Sequence, residues 1–188
     1  TAEIISHYKK ENYKIIVVSS AMSGVTNKLV KKSKEISENF SDSEYDVLVS
    51  SGEQVACSLI AGRLIDKGLK SRSWLAWQIP ILTKGSNKNS RINLINKKKI
   101  TKYLKEGGIP IITGFQGINK QERVTTIGRG GSDASAIMLA KFFKAERCVI
   151  YTDVEGIYTT DPNKLNKAKK IKIISYEEML EMASLGAK

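Results

Sequence analysis

Histidine occurs once in the 188-residue chain, at His7, and cysteine only twice, at Cys57 and Cys148. A zinc site needs several such ligands at short spacing, so that chemistry is excluded. Two isolated thiols also exclude a disulfide framework and read as buried thiols in a reducing, cytoplasmic compartment. No apolar run approaches the roughly 20 residues that a membrane-spanning helix needs, so no membrane partner is expected. The opening segment, Thr1 to Tyr8, lacks the charged start and long apolar stretch of a signal peptide. Aromatic residues are few, 7%, and they do not interleave with the basic runs Lys97–Lys99 and Lys167–Lys172. A stacking platform for nucleic acid requires that interleaving. The net charge of +12 therefore reads as a solvated lysine-rich surface that attracts anions, and no nucleic-acid partner is expected.

What is present suits one globular core, with 41% hydrophobic residues and no internal repeat or linker. Residues 2–10 fit a helix and 14–19 a β-branched strand. Residues 28–40 carry a helical mix. A long helical pattern opens at Ser50-Ser51-Gly52-Glu53 and closes at Gly68. Strands are expected over 71–76, 79–83, 109–113 and 147–151, with a polar loop at 84–90. Helices are expected over 96–106, 131–144 and 175–184, the last opened by a Ser175/Glu178 capping box. Strands alternating with helices predict an α/β fold with a mainly parallel central sheet covered by helices on both faces.

Four segments carry chemistry. Thr125-Thr126-Ile127-Gly128-Arg129-Gly130-Gly131-Ser132-Asp133 runs straight into an apolar helix. Its glycines allow a tight turn and close approach of backbone to a ligand. Ser132 is placed to cap, the helix start favours an anion, and Arg129 offers a fork for a carboxylate or phosphate. Asp133 falls in the first turn of the same helix. Tyr151-Thr152-Asp153-Val154-Glu155-Gly156-Ile157-Tyr158-Thr159-Thr160-Asp161-Pro162 follows an expected strand, at the end where open α/β sheets bind ligands. There Asp153 and Asp161 suit ribose hydroxyls or adenine amino groups and Tyr158 suits a base, while a hairpin with capping Asp residues explains the same pattern. Glu53 in Ser50-Ser51-Gly52-Glu53 reads either as a ligand contact or as a carboxylate complementing a helix start. The loop from Ser20 to Asn27 fits a phosphate contact and an ordinary turn equally well.

In this order the segments resemble aspartate kinases of the amino-acid kinase family, over nearly the whole chain. Ser-Ser-Ala-Met-Ser-Gly-Val-Thr-Asn, Ser-Ser-Gly-Glu, Gly-Phe-Gln-Gly, Gly-Arg-Gly-Gly-Ser-Asp, Thr-Asp-Val-Glu-Gly-Ile-Tyr-Thr-Thr-Asp-Pro and the closing Gly186-Ala187-Lys188 carry the resemblance. It implies a three-layer α/β/α sandwich in one domain over 1–188, with an aspartate-binding part over about 1–135 and a nucleotide-binding part over about 136–188. It implies phosphorylation of the L-aspartate side-chain carboxylate by ATP with Mg²⁺, in a protein that pairs as a homodimer when full length. Arg129 would hold the α-carboxylate and Glu53 the α-amino group, with Ser20, Thr26, Phe115, Gly130, Gly131 and Ser132 completing the substrate shell. Asp133 would organise the catalytic lysine and the metal-nucleotide. Thr152, Asp153, Tyr158, Asp161 and Lys188 would surround ATP. Relatives often carry Arg directly after Asp-Pro, where this chain has Asn163 and then Lys164. The family's opening Lys-Phe-Gly-Gly-Thr-Ser loop and its closing regulatory ACT domains have no counterpart here. The resemblance therefore predicts a domain truncated at both ends. An inactive fragment that binds nucleotide or dimerises, or a kinase of glutamate or acetylglutamate, are the alternatives.

Overall fold

The structure is a computed structural model that describes residues 1–128, 130–152, 156, 158–160, 167–171, 173–175, 178, 179 and 182. In chain order its elements are α1 (Ala2–Lys10), β1 (Val17–Ser19), α2 (Val25–Ile36), α3 (Asp42–Asp66), β2 (Ser71–Trp74), β3 (Ile81–Lys84), β4 (Arg91–Ile95), α4 (Lys98–Lys105), β5 (Ile109–Thr113), β6 (Gln116–Ile118), β7 (Val124–Thr126) and α5 (Gly131–Phe143).

The run Ile109-Pro110-Ile111-Ile112-Thr113 has no polar face, and all five residues are buried. A strand of that composition belongs at the centre of a sheet covered on both sides. β5 accordingly lies between β1 and β2 and is parallel to both. Because side chains alternate along a strand, its neighbours divide between two faces. Ile109, Ile111 and Val17 meet Ile5 of α1 and Cys57, Ala61 and Leu64 of α3. Ile112, Val18 and Trp74 meet Ile100 of α4 and Leu139 of α5. The α/β/α sandwich expected from the sequence is this arrangement.

A second sheet, in the order β4-β3-β6-β7, lies outside that expectation. β3 is antiparallel to β4 and parallel to β6, and β6 is antiparallel to β7. β6 and β7 have three residues each, and β6 contains a fully buried Gln116 and a glycine. The composition of β6 does not signal a strand, and β7, though β-branched throughout as Val-Thr-Thr, is too short to stand out; Gly117 is required because a Cβ there would fall 2.4 Å from Thr83 Cγ2.

Other expectations shift: the helix expected over 28–40 runs from Val25 to Ile36. The long helix begins at Asp42, so Ser50 and Glu53 lie in its interior. Ser50, Ser51 and Gly52 look like a start because such residues favour caps. Here the hydroxyls of Ser50 and Ser51 turn back to the carbonyls of Val47 and Leu48, at 3.1 and 2.7 Å. The helix does close at Gly68, whose φ of 77° lets Leu69 N–H reach the Leu64 carbonyl at 3.0 Å. Residues 147–151 form no strand. Instead Arg147 lies over the rings of Tyr8 and Tyr13, and the Tyr151 hydroxyl donates to Tyr8 at 3.2 Å. The capping box exists: Ser175 N–H donates to Glu178 Oε2 at 2.9 Å, and Glu178 N–H donates to Ser175 Oγ at 3.2 Å. Among the described residues no helix is long and apolar enough to cross a membrane, and both cysteines are free.

Candidate functional site

β1 and β5 end side by side, with Ser19 in register with Thr113. The Gly114 N–H donates to the Ser19 carbonyl at 3.0 Å, holding the two exits together. Ser20 follows one strand and Phe115 the other. Each strand exit faces a helix that starts on a left-handed glycine: α2 on Gly24 (φ 75°) and α5 on Gly130 (φ 69°). Such a φ costs glycine little and other residues more, so glycine lets the chain swing directly into the helix.

These elements line an open cavity of about 240 Å³, bordered by Ser20, Thr26, Glu53 and Phe115 and by Gly128, Gly130, Gly131, Ser132 and Asp133 of the glycine loop. First-turn residues of two helices thus share one cavity, where unpaired N–H groups and the positive helix ends favour negative charge. Ser132 Oγ donates to Ser20 Oγ at 3.2 Å, tying the glycine loop to the exit of β1.

Glu53 gives the cavity its opposite character. It is only 2% exposed. Oε1 accepts the Ala21 N–H at 3.2 Å, and Oε2 is buried without a hydrogen-bond partner among the described residues. Burial raises its pKa to about 7, against a partial lowering by the backbone N–H groups of Glu53 and Ala21. A dipole-complementing carboxylate at a helix start is ruled out, because Glu53 lies well inside α3. Its neighbour Gly52 brings α3 against the turn from Ser20 to Gly24 and the start of α2, where the sequence suggests a loop through Asn27: a Cβ on Gly52 would fall 2.9 Å from Ala21 Cβ and 3.1 Å from Val25 Cγ1. That closeness puts the Ala21 N–H within reach of Glu53. Asp133, at the other side of the loop, has its pKa raised by burial. Burial likewise raises the Cys148 thiol, with a further push from the charge of Asp133.

Phe115 has a φ of 62°, unusual for a residue with a side chain. Its N–H donates to Ser135 Oγ at 3.0 Å, and that hydroxyl donates to the Gly131 carbonyl at 2.6 Å. Gly131 must be glycine, since a Cβ would meet Phe115 Cδ2 at 2.6 Å.

Of the residues singled out from sequence, Ser20, Thr26, Glu53, Phe115, Gly130, Gly131, Ser132 and Asp133 meet at this cavity. Thr152 is exposed, and Tyr158 forms an antiparallel bridge with Lys170; neither is among the lining residues. Arg129, Asp153, Asp161 and Lys188 lie outside the described residues. Sequence reasoning passed over the Ala21 N–H, which no side chain marks. It also passed over Ser135, which reads as an ordinary helix residue, and named Gly128 in the glycine segment without assigning it to the substrate shell.

The family model described as "Amino acid kinase family" matches residues 1–188. A Rickettsia felis aspartokinase is 51% identical over 100% of this chain and 47% of its own length. An aspartokinase of Geobacillus stearothermophilus is 48% identical over 98% of this chain and 45% of its own. The chain thus spans about half the length of these curated relatives. Among solved structures, aspartokinase III of E. coli in complex with aspartate and ADP superposes with a TM-score of 0.77 at 27% identity, covering 90% of this chain and 49% of that one. Aspartate kinase from Synechocystis superposes at 0.75 with 39% identity, covering 98% and 30%. With a match along its whole length and a sandwich of the same architecture, the chain belongs to the amino acid kinase family.

Proposed function

We propose that this chain is the catalytic domain of an aspartate kinase, and that the cavity between the ends of β1 and β5 binds L-aspartate. The observation that carries the reading is Glu53. A buried acid with one unpartnered oxygen, in a cavity bordered by two helix N-termini, offers one place for a cation and others for anions. An α-amino acid with a second carboxylate presents that set of charges. The cavity is smaller than the roughly 300–1,000 Å³ of drug-sized sites, which suits a small amino acid. The aspartate named with the E. coli enzyme supports the same substrate class.

In this reading Glu53 receives the α-ammonium and Arg129 the α-carboxylate. Ser20, Thr26, Phe115, Gly130, Gly131 and Ser132 form the walls. The side-chain carboxylate attacks the γ-phosphorus of ATP; a P–O bond to aspartate forms as the bond to the β-phosphate oxygen breaks, giving 4-phospho-L-aspartate and ADP. The protein supplies position and charge neutralisation more than covalent chemistry. Mg²⁺ is held mainly by substrate phosphates in such sites and needs only one or two protein carboxylates. Asp133, half-buried on the cavity wall, fits that requirement, and the ion would neutralise charge on the transferred group. Residues 1–135 then serve aspartate and 136–188 the nucleotide, with Thr152, Asp153, Tyr158, Asp161 and Lys188 around ATP. The resemblance adds a homodimer for the full-length protein, and the two free thiols fit a cytoplasmic setting.

Hydroxylamine trapping tests the assignment. Incubation with Mg-ATP and aspartate should yield a hydroxamate, and glutamate should yield none. Product from glutamate alone would overturn the substrate, and nucleotide binding without product from either acid would support an inactive domain.

A further inference from the structure

α3 carries a second buried carboxylate, Asp46, with no exposed surface. It stands seven residues before Glu53, two helical turns away and on the same face. Its oxygens accept Thr126 Oγ1 at 2.6 Å, Asn87 Nδ2 at 2.7 Å, and the Lys88 N–H at 3.1 and 3.2 Å. Both arms end on the glycine loop. Thr126 closes β7, two residues ahead of Gly128. The Asn87-Lys88 turn leads into Asn89, whose Oδ1 would lie 2.5 Å from a Cβ on Gly128. Ser90 locks the two arms to each other, its N–H donating to the Thr126 carbonyl at 3.0 Å. One turn on from Asp46, the Ser50 carbonyl accepts Gln116 Nε2 at 3.0 Å, and Glu53 then reaches Ala21. One face of α3 therefore grips β7, β6 and the β1 exit in succession.

We infer that Asp46, acting through Thr126, is a positioning residue that fixes the spacing between Glu53 and the glycine loop across the cavity. The inference rests on the proposed function, because that spacing matters only if one ligand must touch both sides. Asp46 itself does not line the cavity. Breaking the Thr126 arm leaves both walls present and still joined through Ser132–Ser20 and the Asn87-Lys88 arm, but with their spacing less firmly held. An amino acid that bridges them then pays to restore the spacing on binding.

The experiment compares wild type, Thr126→Val and Thr126→Ser. Valine keeps the shape and removes the hydroxyl that meets Asp46, while serine keeps the hydroxyl. Aspartate affinity is measured by calorimetry at a temperature well below each variant's melting point. The expected result is a loss of tenfold or more for Thr126→Val, with Thr126→Ser within about threefold of wild type. Aspartate affinity within twofold of wild type in Thr126→Val overturns the inference while the proposed function stands. An equal loss in both variants also overturns it, since a hydroxyl-specific grip must be rescued by serine. If wild type binds no aspartate at all, the proposed function and the inference fall together.

Discussion

Replacing Glu53 by glutamine should change how stability and aspartate binding respond to pH. In the free protein the Glu53 pKa stands at about 7, raised from 4.5 by burial. The folded state therefore holds a proton that the unfolded chain has already lost between those values. Stability is undiminished below about pH 4.5 and falls as pH rises toward 7, after which the penalty is constant. Between pH 5 and pH 8 this amounts to about 2.5 kcal/mol, since each pKa unit is worth about 1.4 kcal/mol. Glutamine cannot ionise, so Glu53→Gln lacks this component. For a domain of this size each kcal/mol moves the melting temperature by roughly 2–4 °C. The melting-temperature gap between Glu53→Gln and wild type should thus shift by about 5–10 °C in the variant's favour from pH 5 to pH 8. Differential scanning calorimetry at several pH values reads this directly. Parallel wild-type and variant curves would refute the reasoning, because they would mean that Glu53 titrates alike in folded and unfolded chains. The ligand should act in the opposite sense. An ammonium beside Oε2 stabilises the ionised acid, so aspartate affinity should rise about tenfold per pH unit below 7 and level off above it. In Glu53→Gln that dependence should vanish along with most of the affinity.

Gly52→Ala should cost about 1–3 kcal/mol in urea unfolding and weaken aspartate binding. Its Cβ would press on Ala21 Cβ at 2.9 Å and push away the N–H that Glu53 accepts. Unchanged stability would mean that the loop yields freely. Arg129→Lys should lower aspartate affinity more than nucleotide affinity, because a single ammonium cannot reproduce a bidentate fork on a carboxylate. Equal losses in paired titrations would remove Arg129 from the aspartate side.

Much of the sandwich was legible because its strands advertise themselves. Ile109–Thr113 is apolar throughout, and only a strand covered on both faces tolerates that. Of the second sheet only β3 was legible, from the expected strand over 79–83; β4, β6 and β7 were not, because their information is three-dimensional. Gln116 belongs in β6 because Ser50 and Gly117 lie where they do, and no propensity encodes that. The start of α3 was misplaced for a related reason. Ser50 and Ser51 satisfy their hydroxyls inside the helix, so the sequence signal of a cap appears where there is none. Eight of the residues singled out from motifs line one cavity, since glycine loops and hydroxyls at strand exits are local patterns. What escaped were contacts made by backbone, such as the Ala21 N–H, and the buried Asp46, whose partners are more than 40 residues away.

The central claim is that the cavity receives the ammonium of aspartate on Glu53. Calorimetric titration with L-aspartate near pH 6, in two buffers of different ionisation enthalpy, tests it most directly. Most Glu53 carboxyls hold a proton at that pH and must release it when the ammonium arrives. The predicted result is saturable binding with release of nearly one proton in wild type and none in Glu53→Gln. Saturable binding without proton release, or no binding in either, would contradict the account.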